Sequence, residues 1–286
     1  LIAGPIVKYS DVAEQLRHRK ETMILFSDGI KRFCYGLGKK VLLSNTFAEV
    51  ADKIWKLDVE KLGAPLAWLG IISYTLQIYY DFSGYSDMAI GIGKMLGFQF
   101  KENFNYPYTS LSVQEFWRRW HISLSTWFKE YVYIPLGGNR KGSFRTYLNL
   151  FVVFLLTGIW HGANFTFVVW GLIYAVLLII ERMFLGKVLE KNPVKFVNWV
   201  YTILMVMIGW VFFRSENIIQ AVKFITQMFS TSPSEYSIFS YISMKVLICL
   251  VMGILLMGVV QRLLKDKYEK VKNKSLVVNV DFAIQI

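Results

Sequence analysis

Charged residues are scarce in this sequence of 286 residues: only 18% are Asp, Glu, Lys or Arg, whereas 55% are hydrophobic. The stretch from 146 to 180 holds no formally charged residue at all. Nine Trp and 16 Tyr suit the aromatic belts that form at both surfaces of a bilayer. The composition therefore predicts an all-α, multi-pass membrane protein, because helices satisfy their own backbone hydrogen bonds in lipid.

Several familiar motifs are missing. The two cysteines, Cys34 and Cys249, lie far apart, and we expect neither a disulfide nor a metal site from them. The zinc-hydrolase spacings HExxH and HxxEH and the serine-hydrolase elbow GxSxG do not occur. The chain opens at Leu1 with no initiator Met, signal peptide or cleavage site, so we expect a piece without its amino-terminal spans.

Negative charge is also in short supply, and the net charge is +12. The basic residues lie beside apolar stretches, which is the positive-inside pattern of membrane proteins and argues against a nucleic-acid partner. A basic tail carries Lys265, Lys267, Lys270, Lys272 and Lys274. We expect this tail to be cytoplasmic, where it is either a topology signal alone or a contact for anionic membrane lipid.

Apolar stretches at 62–80, 196–213 and 246–261 are long enough to predict membrane spans. The first should end at the polar cluster of residues 81–87. Residues 22–43 contain four basic side chains, which indicates an amphipathic or bundle-interior helix rather than a simple span.

Residues 146–180 would form a helix of roughly 50 Å, longer than the ~30 Å hydrocarbon core. Basic residues flank both ends, which favours a hairpin with its break at residues 161–164. Irregular backbone at that depth is tolerated only inside protein or beside a wet cavity. His161 is therefore expected to face a cavity, the alternative being a buried histidine bonded to a neighbour.

A capping-box pattern at Ser112 and Glu115 predicts the start of an interfacial or re-entrant helix. Aromatic residues from 116 to 128 would form one face of it. The opposite face would carry Gln114, Arg118, His121 and Ser125. Arg118 suits an anionic acyl donor, whereas His121 either takes part in chemistry or merely faces water and headgroups.

Of the three histidines, His18 lies in a charged stretch and is expected on the surface. His121 and His161 remain as candidate general acid–base groups, because imidazole titrates near neutrality. Asp81 shares a helix face with Gln77, and either joins a structural network or lines the cavity.

Four longer motifs occur in order along the chain: YDFSGYSDMAIG at 80–91, FWRRWHISLS at 116–125, YIPLGGNR at 133–140 and GIWHG at 158–162. Together they resemble the membrane-bound O-acyltransferase (MBOAT) family. LIAGPI at 1–6 and GWVFFR at 209–214 resemble its alginate and peptidoglycan O-acetyltransferase branch. The resemblance covers residues 1 to about 215 well and the remainder loosely.

The resemblance implies a single MBOAT-type integral membrane domain over residues 1–286, a helical bundle with re-entrant and interfacial helices around a tunnel. It implies that His161 is the catalytic residue, with His121 as a second functional histidine. Asp81, Arg118 and Asn164 are expected as substrate-binding residues. We expect no bound cofactor or metal, and acetyl-CoA or another acyl thioester as co-substrate.

The implied function is O-acetylation of a cell-surface or exported polysaccharide from a cytoplasmic donor, in the cytoplasmic (inner) membrane. An extracytoplasmic or membrane-anchored acyltransferase is expected as partner. Two alternatives stay open at this point: a transporter or channel that uses the same polar cavity, and a non-catalytic scaffold for polymer assembly.

Overall fold

A computed structural model describes residues 5–260, which fold into helices joined by short connections, with no strand in that range. The all-α prediction is confirmed, while the predicted basic tail at 265–274 lies outside the described residues. In chain order the α-helices are α1 Tyr9–His18, α2 Met23–Gly38, α3 Asn45–Trp55, α4 Gly63–Met95, α5 Val113–Arg119, α6 Ile122–Phe128, α7 Gly142–His161, α8 Phe165–Ile180, α9 Gly186–Lys191, α10 Lys195–Arg214, α11 Ile218–Met228 and α12 Met244–Ile254.

The predicted hairpin over 146–180 is confirmed. Helix α7 ends at His161 and α8 begins at Phe165, so the break falls within the predicted residues 161–164, which include Gly162 and Asn164. Among the described residues, three helical segments are long and apolar enough to cross a membrane: Gly142–His161, Phe165–Lys191 and Lys195–Arg214. The predicted span at 246–261 is a shorter apolar helix, Met244–Gly258.

Helix α4 is longer than the sequence suggested. It continues to Met95 through the cluster at 81–87, so the expected end of the helix near residue 80 is wrong. The acidic side chains are tolerated because α2 and the π-helical turn that follows it, Lys39–Ser44, supply cations. Asp87 accepts hydrogen bonds from Arg32 (2.8 Å) and Lys39 (2.7 Å), and Asp81 pairs with Lys40.

Helix α2 packs along α4, so residues 23–38 form a helix as the sequence predicts, but only Gly29 and Gly36 in it are buried and more than half of its residues are exposed. The two backbones touch where glycines face each other. A Cβ atom on Gly29 would lie 2.6 Å from the carbonyl oxygen of Gly91, and one on Gly91 would lie 2.7 Å from that of Gly29. Any larger residue at either position would therefore push apart the helices that hold the Asp87 ion pairs.

The single helix predicted from Ser112 through Phe128 is wrong, although its capping start is confirmed: the Ser112 hydroxyl accepts from the Glu115 amide at 3.0 Å. The helix stops at Arg119, and α6 starts at Ile122. Between them His121 adopts a left-handed backbone, with φ 45° and ψ 55°. The predicted polar stripe is consequently split, and His121 is buried rather than exposed at an interface.

A dense aromatic core joins α5, α8 and α10. Trp170, Trp210 and Tyr108 are almost completely buried, and Trp210 donates its indole N–H to the Tyr108 hydroxyl at 3.1 Å. The Tyr108 hydroxyl in turn donates to the Thr75 carbonyl of α4 at 2.7 Å. This core forms a rigid wall against which the break at His121 and the end of α7 are placed.

Candidate active site

His121 and His161, which lie 40 positions apart in the sequence, line the same cavity of about 590 Å³. Asp81 of α4 lines it as well. Most of the remaining wall is aromatic, contributed by Trp117, Trp120, Trp127, Trp160, Trp170, Trp210, Phe82, Phe128 and Phe213. An apolar chamber with a few convergent polar groups is the usual form of a small-molecule site.

His161 is the last residue of α7, and Gly162 after it has φ 155°, a backbone conformation that favours glycine. The imidazole is surrounded by rings: its centroid lies 5.0 Å from those of both Trp170 and Phe213, in edge-to-face contact. Within residues 5–260 its ring nitrogens form no hydrogen bond to protein. Both nitrogens are thus left for a molecule in the cavity, as the prediction of a cavity-facing His161 requires.

His121 is held quite differently. Its Nδ1 lies 3.1 Å from the Oδ1 atom of Asn103, and the Phe82 ring packs edge-to-face against the imidazole at 4.6 Å. His121 is 5% exposed and lies outside the three spanning segments. Burial lowers its pKa to about 3, with the nearby His161 as a second cause, so the imidazole is neutral at physiological pH.

Asp81 sits at the edge of the cavity in a polar network. It pairs with Lys40 and accepts a hydrogen bond from the Ser44 hydroxyl at 3.3 Å. Its side chain remains about half exposed, at 47%. Asp81 therefore does both things that the sequence left as alternatives: it belongs to a polar network between helices, and it lines the cavity.

Arg118 lines a second cavity, of about 380 Å³, together with Lys129 and Arg182. None of these three cations forms an ion pair with another residue between 5 and 260. The two cavities share Trp117, Leu124 and Phe128 as lining residues, so these side chains lie at the boundary between the basic chamber and the histidine cavity.

The two cavities follow one another along α7. Leu150, Val153, Phe154 and Thr157 line the basic cavity, and Trp160 and His161 line the histidine cavity. Helix α7 rises about 30 Å over its 20 residues. The basic chamber therefore lies towards the end with Arg140, Lys141 and Arg145, and the histidines lie towards the opposite end.

Asn164 has a structural place. Its side chain caps α8 by accepting from the Thr166 amide at 3.1 Å, and it donates to the Glu216 carbonyl at 2.7 Å. It lies outside the sets of residues that line the two cavities. No group of three or more His, Cys, Asp or Glu side chains between residues 5 and 260 is placed to hold a metal ion.

The structure adds residues that the sequence did not single out. Trp210 and Phe213 of α10 and Trp170 of α8 form the wall around His161, and Asn103 binds His121 from a loop. The spacing of Trp210 and Phe213, i and i+3 on one helix face, is a signal that could have indicated a shared surface. Nothing in the local sequence connects Asn103 with His121.

Comparison with known proteins decides the family. The family model described as "MBOAT, membrane-bound O-acyltransferase family" matches residues 1–219. The chain belongs to the MBOAT family. The MBOAT motifs at 80–91, 116–125 and 158–162 supply Asp81, His121 and His161, so the motifs that carry the resemblance also build the cavity.

Several members of the family are similar to this chain over much of its length. The probable alginate O-acetylase AlgI of Pseudomonas putida is 53% identical over 232 residues, which is 80% of this chain and 47% of the relative. The peptidoglycan O-acetyltransferase of Helicobacter pylori is 41% identical over 234 residues, 80% of this chain and 44% of the relative. A teichoic acid D-alanyltransferase of Bacillus subtilis is 34% identical over 125 residues, which is 41% of this chain and 31% of the relative. The chain spans a little under half the length of the O-acetylase relatives it matches.

Proposed function

We propose that this MBOAT chain is part of a membrane O-acetyltransferase that passes an acetyl group from a cytoplasmic thioester donor towards a polysaccharide outside the cytoplasmic (inner) membrane. The observation that carries the proposal is the meeting of two histidines from separate family motifs in one aromatic cavity of about 590 Å³. The names of the O-acetylase relatives support the acyl group and the class of acceptor.

The proposed reaction is a nucleophilic substitution at the carbonyl carbon of the thioester. The acceptor hydroxyl gives its proton to a neutral imidazole as its oxygen attacks the thioester carbonyl, the C–S bond breaks, and the leaving sulfur takes up a proton. An ester and a free thiol result. We assign His161 to the acceptor, as general base or positioning group, and His121 to the donor, as proton relay or partner of the donor carbonyl.

The basic cavity supports a cytoplasmic donor. By the positive-inside rule, the basic loop before α7 and the basic residues after α8 mark the cytoplasmic face. Arg118, Lys129 and Arg182 would attract a phosphate-bearing thioester such as acetyl-CoA, because guanidinium and ammonium groups bind phosphate oxygens. The acyl end would reach the histidines past Leu124, which lines both cavities.

The acceptor side lies at the far end of α7. We propose that the acetyl group leaves there for a polysaccharide, either directly or through an extracytoplasmic or membrane-anchored acyltransferase partner. Alginate and peptidoglycan are the acceptors that the relatives' names suggest.

Sealed vesicles that contain the full-length protein test this proposal. Labelled acetyl-CoA is supplied on the cytoplasmic side, with polysaccharide or the candidate partner on the other. We expect the acetyl label to appear covalently on the far side while the CoA moiety stays behind. A transporter would instead carry an intact solute across, and intact acetyl-CoA or unattached acetate on the far side would contradict acyl transfer.

A further inference from the structure

The side chain of Asn103 has a fixed orientation. Its Oδ1 atom accepts from the backbone N–H of Ser123 at 3.1 Å and from the Ser123 hydroxyl at 2.8 Å. Its amide nitrogen donates to the Ser86 hydroxyl at 3.1 Å. A backbone N–H can only donate, so the atom that faces Ser123 must be the amide oxygen.

That orientation fixes the proton on His121. The same Oδ1 atom lies 3.1 Å from Nδ1 of the imidazole. Two acceptors at this distance would repel each other, so Nδ1 must carry the hydrogen and donate it. In a neutral imidazole the other nitrogen, Nε2, then has no hydrogen and accepts. Nε2 forms no hydrogen bond with any residue between 5 and 260.

The backbone reinforces this arrangement. The Asn103 carbonyl accepts from the Ile122 amide at 2.9 Å, and Asn105 donates its amide to the Arg119 carbonyl at 2.9 Å. These bonds clamp both sides of His121, whose left-handed backbone is uncommon for a residue with a side chain. Asn103 itself is 1% exposed, so its side chain is shielded from bulk solvent.

We propose that Asn103 is a positioning residue that holds His121 in the Nδ1-protonated form, and so presents Nε2 to the cavity as a proton acceptor. This inference rests on the proposed acyl transfer and decides between the two roles left for His121. An unprotonated Nε2 cannot donate a hydrogen bond to the donor carbonyl. It can take a proton and pass it on, which makes His121 the relay.

Charged groups on both sides of His121 bear on its titration. His161 and Asp81 share its cavity. Behind Asn103, a third cavity of about 400 Å³ contains Arg32, Lys39, Asp87, Lys94 and Glu102. Arg32 and Lys39 are bound to Asp87, and Arg32 also to Glu102, so most of the charge there is already paired. A new carboxylate at position 103 would be the nearest charge to Nδ1.

The direct test is the nitrogen NMR spectrum of histidine in the full-length protein, labelled with ¹⁵N and embedded in bilayers. The His121 signals are those lost in His121→Gln. We expect a neutral ring with protonated Nδ1 and unprotonated Nε2. A neutral ring protonated at Nε2 would overturn the proposal, whether or not the protein transfers acetyl groups.

A kinetic test uses Asn103→Asp and Asn103→Leu. A carboxylate beside Nδ1 stabilises the imidazolium and so raises the pKa of His121. In the pH profile of kcat/KM, Asn103→Asp should therefore move the acid limb to higher pH by about one to three units. Asn103→Leu should lose transfer at every pH, while Asn198→Asp, at an equally buried asparagine outside the cavity linings, should keep the wild-type limb. An unmoved limb in active Asn103→Asp would reduce Asn103 to a structural role. Absent transfer by the wild type would instead refute the proposed function, and the NMR result would still decide the tautomer.

Discussion

Glu181 offers a sharp test of how the site is held in place. This buried carboxylate ends the uncharged run of α8 and accepts from the backbone amides of Val113 at 2.7 Å and Gln114 at 2.8 Å. Both amides belong to the first turn of α5, where a helix has unsatisfied N–H groups and favours negative charge. Glu181 thereby ties the segment that leads into His121 to a membrane span.

Glu181→Gln keeps one accepting oxygen but replaces the other by an NH₂ group that would face an amide donor. A hydrogen bond to a charged group contributes about 1.5–3 kcal/mol, so the variant should lose about that much unfolding free energy. This corresponds to roughly a 10- to 150-fold larger unfolding equilibrium constant. Acetyl transfer should fall as well, because α5 positions the break that contains His121.

Denaturant unfolding of the purified full-length protein in detergent measures the first effect, and transfer from labelled acetyl-CoA measures the second. Glu190→Gln is the matched control, since Glu190 is exposed on α9. Equal stability and transfer for Glu181→Gln and wild type would refute the view that this carboxylate anchors α5. A stability loss of the same size in Glu190→Gln would refute its specificity.

Three further predictions concern the two cavities. Arg118→Gln should raise the KM for acetyl-CoA about tenfold with little change in kcat, because one charge-assisted contact to a phosphate is lost. An unchanged KM in steady-state assays would contradict a role for Arg118 in binding the acyl donor. Leu124→Trp should fill the boundary between the two cavities and lower kcat at least about tenfold, while a non-hydrolysable donor analogue still binds. Unimpaired turnover would rule out passage of the acyl group past Leu124. Burial lowers the pKa of His121 from 6.5 to about 3, so between these two pH values the unfolded chain binds more protons than the folded protein. The titration of His121 therefore lowers the free energy of unfolding as the pH falls from 6.5 to about 3, and has no effect above pH 6.5. Unfolding titrations should therefore show a smaller loss in His121→Gln than in wild type over that window, and parallel curves would contradict the burial.

The hairpin of α7 and α8 could be predicted because its determinants are local. An uncharged run too long for one span, basic flanks on both sides and a glycine at the break leave few alternatives. The placement of His161 in a cavity follows from the same reasoning, since polar backbone at that depth needs a protein or water partner.

The break at His121 could not be predicted, because its cause is distant in sequence. Aromatic residues continue at helical spacing through Trp120 and Leu124, which favours one uninterrupted helix. The competing hydrogen bonds come from Asn103, nearly twenty positions earlier. The length of α4 was missed for a similar reason: the cations that neutralise Asp81 and Asp87 belong to α2 and the turn after it.

The central claim is that His161 takes part in acyl transfer. We would therefore compare transfer of labelled acetyl groups by the wild-type protein, His161→Ala and His18→Ala in membranes, at matched amounts of folded protein. We expect that His161→Ala transfers no label, whereas His18→Ala, altered at an exposed histidine of α1, matches the wild type. Equal labelling by His161→Ala and wild type would contradict it.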